Sequence, residues 1–214
     1  VLSETVKNVY NFDSLTTKTK KQIEQNTKKM SLARGKVLDT QKSAEHFFVI
    51  ETGTALALDP ATETISKLLR KGETIGAENI FTEPAASQNI KAATACELNV
   101  ISLTDLKKIT EKDAQLCSML ANYISTLYIE ERNRLQAHKL LNVSKRTAMT
   151  LENLSQGKYE FSLAITQDQL AELVGASRER VNKTIRNFIK FGWIVKKEKV
   201  YKITNRPELK KHYK

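Results

Sequence analysis

Apolar residues along the chain keep two different periods, and the change between them divides it. Over residues 37–102 they fall in short β-rich runs, at 37–38, 46–51, 54–58, 64–69, 74–75, 88–93 and 96–102. Turn residues separate the runs at intervals of about eight to twelve residues, the spacing of an all-β sandwich or barrel. Ahead of them the chain is rich in Lys and Thr, with Leu15, Ile23 and Met30 as sparse anchors. Residues 16–27 there predict a short helix covering one end of the β domain. After the last run the period becomes helical, and residues 105–139 read as one long helix. Leu116, Leu120, Tyr123 and Leu127 step along it as a heptad seam, which turns polar at Glu130, Glu131, Arg132 and Arg134. Asn142 interrupts the pattern near residues 138–143, which predicts a hinge.

Beyond the hinge the elements are short. Residues 144–156 predict a helix and residues 159–163 a strand. In residues 165–194, Leu170, Leu173 and Val174 recur at helical spacing, and Thr166 with Gln169 forms a capping box at the start of that helix. Gly175 and Ala176 break it, because glycine takes the left-handed conformation that a tight helix-to-helix turn needs. Ser177 then caps a second helix with Val181, Ile185, Phe188 and Ile189 on one face. Arg178, Glu179, Arg180, Lys183, Thr184 and Arg186 lie on the other, and Gly192 is placed to end it. Trp193, Ile194 and Val195, the charged turn Lys196-Lys197-Glu198-Lys199, and residues 200–203 make a β-hairpin. Residues 205–214 are a short basic tail with one helical turn started by Pro207. Two helices about a glycine turn, then a β wing, form a winged helix-turn-helix whose second helix suits a DNA major groove. A helical hairpin with a solvated basic face would share the first half of this pattern; the wing favours DNA. A single apolar stripe on such a helix would also suit packing on its own domain; beside a helix-turn-helix that needs a partner, the heptad seam is expected to be a dimer interface.

Charge placement supports the same partner. The net charge of the 214 residues is +11, and residues 142–214 hold sixteen Lys/Arg against seven Asp/Glu, leaving nineteen against seventeen before them. An excess of +9 beside the helix-turn-helix is the footprint of a nucleic-acid surface and argues against a module that binds protein. Cys96 and Cys117 sit among apolar neighbours outside any CxxC or Cys/His cluster, which predicts buried structural thiols and no metal site. His46, His138 and His212 are scattered singly. No GxSxG, phosphate-binding glycine loop or HExxH motif is present, and the chain is not expected to be an enzyme. Without an apolar run of about eighteen residues or a signal-peptide pattern, it is expected to be cytoplasmic, its first residues trimmed because Val1 is not methionine.

The run VGASRERVNKTI resembles the recognition helix of the Crp/Fnr family of bacterial regulators, with its VG-x-SRE-x-V pattern. RGKVL, FFVIETGTALAL and LLRKGETIG resemble the jelly-roll sensor domain of the same family, with Gly35, Gly53, Gly72 and Gly76 at its recurrent turns. The resemblance runs from about Leu32 to Ile203. It implies an α+β chain: a β jelly-roll sensor over residues 1–105, a long dimerisation helix and hinge over 106–141, and a winged helix-turn-helix over 142–214. It further implies a homodimer on a palindromic operator, with double-stranded DNA and RNA polymerase as partners and no membrane. In the family's pattern Arg178 reads a guanine, Glu179 a cytosine amino group and Lys183 a second guanine, where cyclic-AMP-binding members carry arginine. Thr166, Ser177, Arg180, Lys196, Lys197 and Lys199 are the expected backbone contacts. Leu116, Leu120, Tyr123 and Leu127 are the expected dimer interface.

The sensor departs from the family. Cyclic-AMP-binding members read roughly IGELGLF…RSA…TACE where this chain reads IGAENIF…ASQ…TACE. The ribose-binding glutamate falls on Ala77, the phosphate-binding arginine on Ala86, and the adenine-contacting Thr-Ser pair on Glu131 and Arg132. Arg70, Lys71 and Lys91 are the cations left to enter such a pocket. Losing an arginine that neutralises a buried phosphate costs on the order of 2–5 kcal/mol. Cyclic AMP is therefore not expected as a ligand, and the four-cysteine iron–sulfur ligation of the FNR branch is missing too. Two expectations follow: a regulator that needs no effector, or the same fold gated by an unidentified small molecule.

Overall fold

Why one strand should be apolar on both faces is answered by what lies on each side of it. The computed structural model describes residues 15–39, 44–59, 61–82 and 89–213. The chain forms two units, which divide after Ile129. In the first, β1 (Lys28–Leu32), β8 (Cys96–Ser102), β3 (His46–Thr52) and β6 (Thr74–Ile75) make one antiparallel sheet in that order. A second sheet has the order β2 (Val37–Asp39), β7 (Asn89–Ala92), β4 (Thr54–Leu58) and β5 (Ile65–Arg70). Phe48 and Ile50 of β3 pack with Ala55, Ala57, Ile90, Ala92, Cys96 and Leu98 in one apolar core. Phe47 and Val49, alternating with them, point to the opposite face of the sheet. There they meet Leu15 and Ile23 together with Leu103, Leu106, Ile109, Leu116 and Leu120. The continuous apolar run at residues 47–50 is thus a strand covered on both faces. This is the sandwich expected from the strand spacing. β1, extending the first sheet, is a strand the polar Lys/Thr-rich stretch did not announce. Gly35, Gly53, Gly72 and Gly76 all have positive φ. At Gly53 a Cβ would stand 2.3 Å from the carbonyl oxygen of Ala95, so the turn tolerates no side chain.

Helix α1 (Thr17–Asn26) is capped by the Thr16 hydroxyl and buries Ile23, as expected. The single helix expected over 105–139 is two. α2 (Leu103–Thr110) is capped by the Ser102 hydroxyl, and α3 (Ala114–Leu140) follows after a break at residues 111–113. Asp113 makes the break. Its Oδ1 accepts from the backbone N–H of Leu116 at 3.0 Å, satisfying an orphan donor of α3, while Oδ2 accepts from the Thr19 hydroxyl. Those bonds hold its carboxyl below the usual carboxylate range.

The expected dimer seam is spent within this unit. Leu116 is 2 % and Leu120 3 % exposed in the cluster beneath β3, with Tyr123 and Leu127 packed against it. Tyr123 also shares a hydrogen bond of 2.9 Å with the hydroxyl of Thr74. The heptad is real, but Leu116 and Leu120 are used up in covering the chain's own β-sheet, with Tyr123 and Leu127 half-buried beside them. Cys96 is buried, its thiol donating to the Thr54 carbonyl at 3.3 Å and pushed up by desolvation, whereas Cys117 is only half-buried.

The second unit holds the end of α3, then α4 (Val143–Ser155), β9 (Glu160–Ser162), α5 (Gln167–Val174), α6 (Arg178–Lys190), β10 (Ile194–Lys197), β11 (Val200–Ile203) and α7 (Arg206–Tyr213). Its strands pair in the order β10-β11-β9. The tail is two turns of helix rather than one, because Leu209 is fully buried and Arg206 pairs with Glu152 of α4 at 3.5 Å.

Candidate nucleic-acid interface

The turn between α5 and α6 is built from local chemistry. Thr166 Oγ1 accepts from the Gln169 N–H at 3.2 Å and Gln169 Oε1 accepts from the Thr166 N–H at 2.8 Å, the reciprocal box expected there. Gly175 ends α5 in the left-handed region at φ 68°, and Ser177 caps α6 by accepting from the Arg180 N–H. Val181, Ile185 and Phe188 bury one face of α6 against the unit's core. Two positions differ from expectation. Thr184 is buried, its hydroxyl donating to the Arg180 carbonyl at 3.0 Å, and Ile189 is 41 % exposed. Both lie at the edges of the apolar stripe, where the 100° step per residue leaves the side undecided.

What α6 leaves exposed is charged. Arg178, Glu179, Arg180, Lys183, Arg186 and Lys190 all face solvent. Arg178 Nη1 lies 3.3 Å from a carboxylate oxygen of Asp168 in α5, both side chains well exposed. A solvated pair of this kind is worth about 0–1 kcal/mol, so Arg178 exchanges it readily for a stronger acceptor. Thr166 and Ser177 are exposed, and each hydroxyl keeps its proton while its oxygen caps a helix.

The wing pairs Ile194 with Ile203 through Lys197 with Val200, leaving Glu198 and Lys199 as a two-residue turn in which Glu198 takes φ 53°. Lys197 and Lys199 are exposed at its tip. Lys196 is half-buried. Its ammonium lies 5.8 Å from the ring centroid of the buried Tyr201, opposite it across the hairpin, so it packs within the unit as well as carrying charge.

Three features had no sequence signal. Arg146 of α4 donates to the carbonyls of Leu141, Val174 and Gly175. Arg206 donates to the Gly157 carbonyl at 2.7 Å and the Ser155 hydroxyl at 3.2 Å, and lies over the Tyr159 ring. His138, one of the scattered histidines, lies against Gly175. Each contact joins residues tens of positions apart or reaches bare backbone, which no periodicity reports. Desolvation first, then Arg146 and Arg134, hold the His138 imidazole below its usual value, against an opposing pull from Glu131. A histidine depressed in the folded state binds its proton more weakly than in the unfolded chain. Stability is therefore expected to be fully present above the ordinary histidine value and to fall as pH drops through the folded one. Denaturant midpoints measured across that range should decline toward acid more steeply in the parent than in His138→Gln.

The sensor cassette is described in part. Ala77 opens a 3-10 turn (Ala77–Ile80) and is 1 % exposed in the apolar cluster with Phe47 and Val49, so core packing fills the place of the family's glutamate. Ala86 lies outside the described residues. Glu131 accepts from Arg134 Nε at 3.0 Å, and Arg132 is exposed. Arg70 is half-buried and its guanidinium is lowered by desolvation against Glu73, while Lys71 and Lys91 are exposed. Among the described residues no His, Cys, Asp and Glu group is placed to hold a metal ion, and no helix is long and apolar enough to cross a membrane.

Residues 129–212 match the model of the Crp-like helix-turn-helix domain, and residues 29–113 match that of the cyclic nucleotide-binding domain. The cAMP-activated global transcriptional regulator Vfr of Pseudomonas aeruginosa is 22 % identical over 160 residues, covering 69 % of this chain and 75 % of its own. Among solved structures, FixK2 of Bradyrhizobium japonicum superposes with a TM-score of 0.77 at 13 % identity, over 86 % of this chain and 96 % of that one. A Crp/Fnr-family transcriptional regulator of Thermus thermophilus gives 0.66 at 21 % identity, over 87 % and 98 %. At these identities the two structures speak for the fold.

Proposed function

The chain belongs to the Crp/Fnr family of DNA-binding transcription regulators, and from that premise we propose that it acts as a homodimer on palindromic duplex DNA without cyclic AMP. The observation that carries this reading is the exposed face of α6, where Arg178, Glu179 and Lys183 stand together beyond a capped N-terminus. Arginine suits guanine O6 and N7, glutamate suits the cytosine amino group, and lysine a further guanine. Arg180, Lys197 and Lys199, with the hydroxyls of Thr166 and Ser177, suit phosphates, and Lys196 does so only at its tip. Two recognition helices related by a two-fold axis require half-sites about one turn apart, roughly 34 Å. RNA polymerase is the further partner the family implies.

The dimer seam belongs elsewhere on α3 than its sequence suggested. Ala114, Ala121, Tyr128 and Leu135 recur every seventh residue and are exposed, Tyr128 at 67 % and Leu135 at 53 %. These four exposed positions form a second heptad stripe suited to an identical helix, flanked by Cys117 and by Ile124, which is itself half-buried against the unit's core. A second reading, another small effector, is favoured by one atom. The Asn79 side chain, 5 % exposed in the cassette turn, keeps a buried amide oxygen without a hydrogen bond among the described residues.

Binding-site selection with the ligand-free protein, followed by calorimetric titration of cyclic AMP, tests the proposal. A palindrome should emerge from the apo protein, cyclic AMP should give no heat, and affinity should be the same with and without it. Tyr128→Glu should yield monomers in sedimentation. Leu120→Ala should cost about 2–5 kcal/mol of stability and leave association unchanged. Low-micromolar nucleotide binding, or DNA binding only in its presence, overturns the effector-independent reading.

A further inference from the structure

Two helix ends in the second unit meet at one side chain. Arg146, in the first turn of α4, donates from Nη1 to the Leu141 carbonyl at 2.8 Å, from Nε to the Val174 carbonyl at 2.9 Å, and from Nη2 to the Gly175 carbonyl at 2.9 Å. Leu141 follows the last turn of α3, while Val174 and Gly175 end α5. A helix C-terminus leaves carbonyls without intrahelical donors and carries partial negative charge. One planar guanidinium satisfies both ends at once, in a fork that the point charge of lysine cannot reproduce.

His138 adds a second contact between the same parts. A Cβ on Gly175 would stand 2.6 Å from His138 Cε1 and 2.8 Å from Nδ1, so the ring occupies the space a side chain would need. Gly175 suits its φ of 68° and leaves room for the His138 ring beside it. Ala137 beside it is buried. Across the expected hinge, Asn142 caps α4 by accepting from the Lys145 N–H at 3.0 Å, and the Leu141 N–H bonds back to the Ala137 carbonyl at 2.9 Å. The segment expected to flex is held at both sides by hydrogen bonds.

We propose that Arg146 is a positioning residue that locks the helix-turn-helix to the end of the long helix, so that the spacing of two recognition helices is set through it rather than left free at Asn142. The proposal rests on the dimeric reading above. Its signature is specific, because a lock contributes nothing to one half-site and everything to two at a fixed spacing. Simultaneous engagement of two sites adds on the order of 100-fold or more over one, and only when the geometry allows both.

Full-length protein, Arg146→Lys and Arg146→Met would be titrated with three duplexes: a single selected half-site, the selected palindrome, and that palindrome with its half-sites moved apart by a few base pairs. The parent should prefer the palindrome strongly over the other two. Both variants should bind the half-site as the parent does, lose most of the palindrome advantage, and accept the widened site nearly as well as the matched one. Far-ultraviolet circular dichroism would show the variants folded. Retention of the parent's spacing preference in Arg146→Lys and Arg146→Met overturns the lock. Loss of half-site binding overturns it as well, since Arg146 would then support only the fold. If the parent itself shows no palindrome preference, the dimeric reading fails, and the lock with it.

Discussion

Arg178→Ala is expected to weaken binding to the selected palindrome by about 2–6 kcal/mol, since each half-site loses one bidentate arginine–guanine contact worth about 1–3 kcal/mol. The side chain starts α6, is exposed, and exchanges only a solvated pair with Asp168 for the base. The loss should be confined to one base pair per half-site: repeated selection with the variant should return the same palindrome with that column randomised. Lys197→Ala, at the wing tip, should behave differently. A phosphate contact carries no sequence information, so affinity should fall alike for all duplexes and the dependence on salt should become shallower. Titrations at several salt concentrations separate the two outcomes. An Arg178 variant whose selected columns all stay sharp would remove that residue from the base-reading set.

Glu152→Ala is expected to destabilise the second unit by about 3–5 kcal/mol, the usual cost of removing one partner from a buried ion pair. Glu152 and Arg206 expose only 11 % and 13 % of their side chains and stand 3.5 Å apart, with the Lys210 ammonium 3.3 Å from the same carboxylate. Arg206 keeps its bonds to the Gly157 carbonyl and the Ser155 hydroxyl in the variant, so the change isolates the carboxylate. Trp193 is the chain's single tryptophan and lies in this unit, within 5.4 Å of the Phe188 ring centroid. Its fluorescence should therefore follow this transition selectively in a denaturant titration. A midpoint unchanged from the parent would show that α7 is held by the burial of Leu209 alone. The size of the expected loss reflects position, because the exposed pair between Arg178 and Asp168 has similar chemistry and contributes little.

The sequence alone determined whatever rests on residues within about four positions of one another. The strand bounds at 54–58, 74–75 and 96–102, the box between Thr166 and Gln169, the left-handed Gly175 and the Ser177 cap all stand where the pattern put them, while the wing's first strand runs on through Lys196 and Lys197, expected in its turn. Hydrogen-bond rings, caps and steric limits on φ act at that range, so residue types in order are enough to specify them. The exposed charged stripe of α6 was legible for the same reason, apart from Thr184 and Ile189 at its margins. Tertiary structure decided everything that depends on which surface a stripe meets. Leu116 and Leu120 form a heptad seam in any reading, but the helices and sheet around them absorb it, leaving the weaker stripe of Ala114, Ala121, Tyr128 and Leu135 outside. Asp113 caps α3 through a local bond to the Leu116 N–H, and only the tertiary structure adds the Thr19 hydroxyl, nearly a hundred residues earlier, as a donor to its other oxygen. Lys196 reads as one more surface charge until Tyr201 is placed opposite it across the hairpin. Arg146 has no periodicity to betray it, since its three partners are backbone carbonyls that every sequence supplies, and only the packing of α4 against two helix ends brings them within reach.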